Sequence, residues 1–127
     1  MKINNHEIKF MRTVLANCEI AKVCENRDIS NFDKLVQGND TVMAYHAQCV
    51  FICAMQKGYE MHEKFENPDY VPYYITEDDL MLLDPEDFNT VATEAFTAFA
   101  GDAAQEIETQ EPKAKKNSEE SAETKSN

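Results

Sequence analysis

The residues with the most chemical potential in this chain are its four cysteines and three histidines. His46, Cys49 and Cys53 are the best spaced of them. At about 100° per residue they share one stripe of a helix, and imidazole and thiolate are donors that suit zinc. A fourth ligand would have to come from Cys18 or Cys24. Those two are six residues apart, which sets them about 120° apart around a helix, so they cannot both face one site. The chain has no CxxC and no His-x-x-x-His pair, and cysteine in a cytosolic core commonly packs as a small hydrophobe. Packing is therefore the expected role, with no metal and no cofactor held.

Nucleophilic catalysis has a weaker basis still. His46 could in principle activate a Cys49 thiolate. The pair falls on the most apolar helix of the chain, with no adjacent acid in sequence to orient the histidine. The three glycines, Gly38, Gly58 and Gly101, each fall at or near an expected helix end, so no glycine-rich loop is present to cradle a phosphate or an oxyanion. The acidic runs Glu77-Asp78-Asp79 and Asp84-Glu86-Asp87 lack the Asp-x-Asp-x-Asp-Gly spacing of a calcium loop, and acids at helix N-termini serve as caps. His6 and His62 have no ligand-spaced partners and are expected at the surface. Tyr70, Tyr73 and Tyr74 lie in a proline-containing loop that either covers the core or forms a contact surface. No catalytic residue emerges.

The elements that would position these side chains follow from composition and pattern. A chain of 127 residues suits one domain, and its 12 basic and 24 acidic side chains give a net charge of −12. With a pI near 4.5, binding to nucleic acid or to an anionic membrane surface is disfavoured. The most apolar stretch, Val42 to Met55, is interrupted by His46 and Gln48 and is shorter than the roughly 20 residues that span a bilayer. The opening MKINNHEIKF has no apolar signal region, so the expected setting is cytoplasmic and the expected state of the cysteines is the free thiol.

Composition changes at Gly101. Of residues 102–127 only Ile107 is a large apolar side chain, and a polar segment of this kind is expected to be disordered. Its charge is 4 − 7 = −3, leaving 8 − 17 = −9 on residues 1–101. The division predicted is thus a compact domain over 1–101 and an acidic, polar tail over 102–127.

Within the domain, Lys2-Ile3 and His6–Arg12 flank Asn4-Asn5 and predict a β-hairpin, since asparagine tolerates the positive φ of a two-residue turn. Val14–Glu25 predicts a helix, Ser30-Asn31-Phe32-Asp33 the capped start of a short helix closed by Gly38, and Asp40 the cap of a long helix to about Lys64. The centre of that helix, VMAYHAQCVFICAM, is apolar almost all round and should be the buried one. ENPDYVPYY should be extended. Thr76-Glu77-Asp78-Asp79 and Asp84-Pro85-Glu86-Asp87 then cap two further helices, the second repeating Phe88, Val91, Ala92, Ala95 and Phe99 until Gly101. The fold class predicted is α+β but mainly α-helical, a short N-terminal hairpin packed on about five helices.

The order of these elements resembles the tail assembly chaperones of long-tailed (siphovirus-like) bacteriophages and prophages. MKINNHEIKFMRTV followed by LANCEIAKVCEN is similar to their opening hairpin and first helix, with Glu19-Ile20-Ala21 at its centre, and YYITEDDLMLLDPEDFNTVATEAFTAFAGD is similar to their closing helices. The resemblance implies a non-enzymatic role in the bacterial host cytoplasm. Such proteins coat the long, apolar tape measure protein, keep it soluble, help recruit tail tube subunits, and are absent from the mature virion. It also implies a longer form made by ribosomal frameshifting, for which an A-rich run at Ala114-Lys115-Lys116 would be the place. Met43, Met55, Met61 and Met81 would make a groove for a partner helix adaptable, or else fill gaps in the core. Two other functions remain open on the residues alone. One is a small cytosolic metal- or thiol-dependent protein using His46, Cys49 and Cys53. The other is an acidic decoy of nucleic acid, motivated by the net charge alone.

Overall fold

A computed structural model describes residues 1–110 and the side chains of residues 1–101. It is mostly helical, with one small antiparallel sheet at the N-terminus. Strands β1 (Lys2–Ile3) and β2 (His6–Glu7) pair Lys2 with Glu7 and Ile3 with His6. Asn4 and Asn5 make the turn with φ of 53° and 67°. Positive φ at both central residues is what a tight hairpin needs, and asparagine adopts it at low cost. The second strand stops at Glu7 and does not reach Arg12. Ile8 still donates its N–H to the Met1 carbonyl, and beyond it the backbone leaves β1. The chain then crosses the central helix, where the Met11 N–H donates to the Met55 carbonyl at 3.0 Å.

Helix α1 (Val14–Ala21) starts where the Thr13 hydroxyl accepts from the Ala16 N–H. It ends four residues before the expected Glu25. Val23 and Cys24 bond back to Ile20 and Ala21 in tighter turns, and Asn26 and Arg27 take positive φ and redirect the chain. Helix α2 (Phe32–Gln37) is not capped by Ser30. Asp28 Oδ1 accepts both the backbone N–H and the hydroxyl of Ser30, which spends that side chain in a 3-10 turn one step earlier. Gly38 closes α2 in an extended conformation.

Helix α3 (Thr41–Glu66) is capped by Asp40, whose carboxylate accepts from the Met43 N–H at 3.0 Å. It packs against α1, α2, α4 (Glu77–Met81) and α5 (Pro85–Gln110). Ala47, Cys49, Ile52 and Met55 on it are fully buried and Phe51 nearly so. Full burial of a large apolar side chain stabilises by roughly 1.5–3 kcal/mol, so α3 supplies the largest share of the core. Phe51 stacks on Phe96 of α5 at 4.2 Å between centroids and meets Phe32 of α2 at 5.3 Å. Thr76 and Asp79 form a reciprocal capping box on α4, and Asp84 caps α5 through the Asp87 N–H.

Helix α5 continues through Gly101, where the sequence pattern ends it, as far as Gln110. The backbone of residues 102–110 is helical, and residues 111–127 of the expected tail lie outside the described residues. Among the described residues no helix is long and apolar enough to cross a membrane.

Gly58 has a packing reason. A Cβ there would stand 2.7 Å from the Met11 carbonyl oxygen and 2.9 Å from Thr13 Oγ1, so α3 and the crossing strand approach as closely as they do because that atom is missing. Gly101 has no neighbour within 4 Å of the equivalent position. Gly58→Ala should lower the unfolding free energy by about 1–3 kcal/mol, the usual cost of overpacking. Gly101→Ala should raise it by up to about 1 kcal/mol, because alanine favours a helix interior. Urea denaturation of both variants measures the contrast, and a destabilised Gly101→Ala would contradict a helix running through that position.

Candidate functional site

The stripe of His46, Cys49 and Cys53 exists on α3, but its members turn to different partners. His46, partly exposed, places Nδ1 2.9 Å from Glu77 Oε2 at the start of α4. Glu77 is thus an acid beside His46 that comes from 31 residues along the chain, and sequence adjacency gave no sign of it. Cys49 is fully buried, and burial together with Glu77 pushes its thiol up to about 11. Burial, then Cys49, then the nearby acids push Cys53 up to about 12. Both are neutral thiols near pH 7, the reverse of an activated nucleophile. Cys24 is buried with Sγ 3.5 Å from the Ile20 carbonyl, and Cys18 is exposed. Among the described residues no three His, Cys, Asp or Glu side chains converge to hold a metal ion.

Two other places have shape. The first is an apolar hollow of about 280 Å³ lined by Tyr45 of α3, Leu80 and Met81 of α4, Leu83 of the connection, and Pro85 and Phe88 of α5. Tyr45 and Phe88 meet edge to face at 5.2 Å between centroids and form its base. Met81 and Leu82 remain 47% and 88% exposed at its side. Of the methionines expected either to line a groove or to fill the core, Met55 is buried, while Met43, Met61 and Met81 are exposed.

The second lies under the tyrosine loop. The stretch expected to be extended begins with a turn, closed by the Tyr70 N–H on the Asn67 carbonyl, and residues 71–76 then run without helix or strand, held to α3 by two buried polar side chains, Gln56 and Glu60. Gln56 donates to the Tyr73 carbonyl at 2.6 Å and accepts from the Ile75 N–H at 3.2 Å. Glu60 Oε1 accepts from the Tyr70 hydroxyl and the Tyr73 N–H, both at 2.9 Å. Burial and the bond to Glu60 push the Tyr70 hydroxyl up to about 12. Tyr73 stacks on His6 with centroids 3.7 Å apart, and its hydroxyl accepts from Asn4 of the hairpin turn. Tyr70 and Tyr73 therefore cover the molecule, while Tyr74 is 43% exposed. Gln56 and Glu60 were not among the residues singled out by type. A signal for them does exist, since Ile52, Gln56 and Glu60 continue one buried face at four-residue spacing.

Comparison with known proteins finds no matching family, no matching characterised protein and no matching solved structure. Function must accordingly be argued from these surfaces.

At pH 8 a disulfide-exchange reagent such as DTNB should label Cys18 rapidly in the native protein. Cys24 and Cys49 should react only on the timescale of opening, and all four thiols at once in urea. Fast native labelling of Cys49 would contradict its burial. A second outcome concerns acid. Hydrogen bonds from the Thr76 backbone, first, and then from the Thr76 and Asn4 side chains hold Asp79 below its ordinary value of 3.8. A group depressed in the folded state stabilises fully above the ordinary value and loses that contribution as pH falls through the folded one. Asp79→Asn should therefore flatten the loss of stability below about pH 4, which melting curves from pH 2 to 6 would register.

Proposed function

We propose that this chain is a tail assembly chaperone of a long-tailed bacteriophage or prophage, a binding protein without catalytic activity. It would hold the apolar, helical tape measure protein in solution in the bacterial cytoplasm and help recruit tail tube subunits. The observation that carries the reading is the apolar hollow beside Met81 and Leu82, two large side chains left exposed at the end of α4. A groove between helices with adaptable methionine at its edge suits the apolar stripe of an amphipathic partner helix. The residues around it add to the case: from Asn67 to Gln110 there is no lysine or arginine, and a strongly acidic chaperone keeps its complexes apart by repulsion. The alternative, a metal- or thiol-dependent protein using His46, Cys49 and Cys53, is less favoured, because Cys49 is buried, Cys53 is partly so, and both thiols are protonated near pH 7.

The test is co-expression with the longest helical open reading frame beside the gene. A partner that is insoluble alone should be recovered as a soluble complex. Met81→Asp combined with Leu82→Asp should reduce recovery at least about tenfold, equivalent to about 1.4 kcal/mol of binding, while the melting temperature of the free chain stays within a few degrees. An insoluble, unbound partner overturns the reading.

A further inference from the structure

At the other end of α3 from the apolar hollow, some 15 residues or ~22 Å along the helix axis, the hairpin, α3 and the tyrosine loop enclose a cavity of about 390 Å³. His6 and Glu7 of β2 border it on one side, Tyr70 and Tyr73 on the other, and Glu60 of α3 is its buried member. Glu60 is only 4% exposed. Both hydrogen bonds that it accepts go to Oε1, and Oε2 accepts from no donor among the described residues.

Nor does Glu60 have a cation. No lysine, arginine or histidine among the described residues forms an ion pair with it. Lys64, one turn further along α3, is the residue best spaced to do so, and it donates to the Pro68 carbonyl instead. Lys9 lies over the ring of Tyr59. Glu7, the second carboxylate of the lining, is 3.1 Å from the Met1 ammonium through Oε2 and is half exposed. A carboxylate buried without a partner charge is costly, and the cost is relieved when a cation enters. Aromatic rings beside a carboxylate favour the same guest, because their faces attract an ammonium or guanidinium group.

We propose that this cavity is a binding site for an organic cation, an ammonium or guanidinium group on an alkyl stem, with Glu60 as its counter-ion and Tyr70 and Tyr73 as its walls. Such a group comes either from a lysine or arginine side chain of a protein partner or from a free amine or guanidine. The site is separate from the apolar hollow and does not depend on the chaperone reading.

The test is an amide-resolved NMR titration of the full chain with n-butylammonium, methylguanidinium, neutral n-butanol, and short blocked peptides carrying one lysine or one arginine. Both cations should give saturable shifts centred on residues 60 and 70–73, and butanol none there. Glu60→Gln keeps an oxygen to accept from Tyr70 and Tyr73 while removing the charge, and it should weaken cation binding at least about tenfold with the rest of the spectrum native. Should that variant fail to fold, Glu7→Gln at the half-exposed rim decides, with a smaller but measurable weakening expected. Peptides that bind more tightly than the free cations assign the site to a protein partner. Free cations that bind as tightly assign it to a small amine or guanidine. No saturable shift from any cation, an equal response to butanol, or unchanged affinity in the variant that folds overturns the proposal.

Discussion

The constraint on which the rest of the molecule depends is the unmet hydrogen-bonding of an extended segment laid on a helix. A strand without a sheet leaves N–H and C=O groups that must find partners if they are covered. α3 meets this need with side chains. Gln56 exchanges two hydrogen bonds with the chain at Tyr73 and Ile75, as a neighbouring strand would, and Glu60 accepts the Tyr73 N–H just before them. Leaving such a group unpaired costs about 1–3 kcal/mol each, so these two residues determine where the segment can lie.

Once Tyr73 is fixed, the hairpin follows. The His6 ring stacks on it, Asn4 bonds its hydroxyl, and the same asparagine reaches Asp79 of the α4 capping box. Asn4 thus links the strand pair both to Tyr73 and to the fourth helix, and Ile3 and Ile8 enter the core. The chain leaving the hairpin has to pass over α3 at Gly58, where a missing Cβ permits contact between backbones. The helix that clips the extended segment on one face accepts the crossing strand on another.

Much of this was legible in the sequence wherever the governing physics is local. Asn4-Asn5 announces its turn, Asp40, Thr76 and Asp84 announce helix starts, and the apolar run of α3 announces the buried helix. The misreadings share one cause. The second strand is shorter than its pattern because the chain after Ile8 bonds to α3 through Met11. α1 is shorter than its pattern because the backbone tightens at Val23 and Cys24, whose N–H groups bond to Ile20 and Ala21. Ser30 does not cap α2, because Asp28 engages its hydroxyl. Each depends on which group reaches a partner first.

The sequence by itself determined a mostly helical, acidic chain, its central buried helix, its turn and its caps, because charge, periodicity and capping act within one or two turns of backbone. Only the tertiary structure decided what the polar residues do. It brought Glu77 to His46, buried Cys49 and kept the thiols of Cys49 and Cys53 protonated near pH 7, left Met81 and Leu82 uncovered, and buried Glu60 without a cation among the described residues. The physical reason is that burial and pairing depend on residues far away in the chain, and residue type and local spacing carry no record of which distant group will arrive.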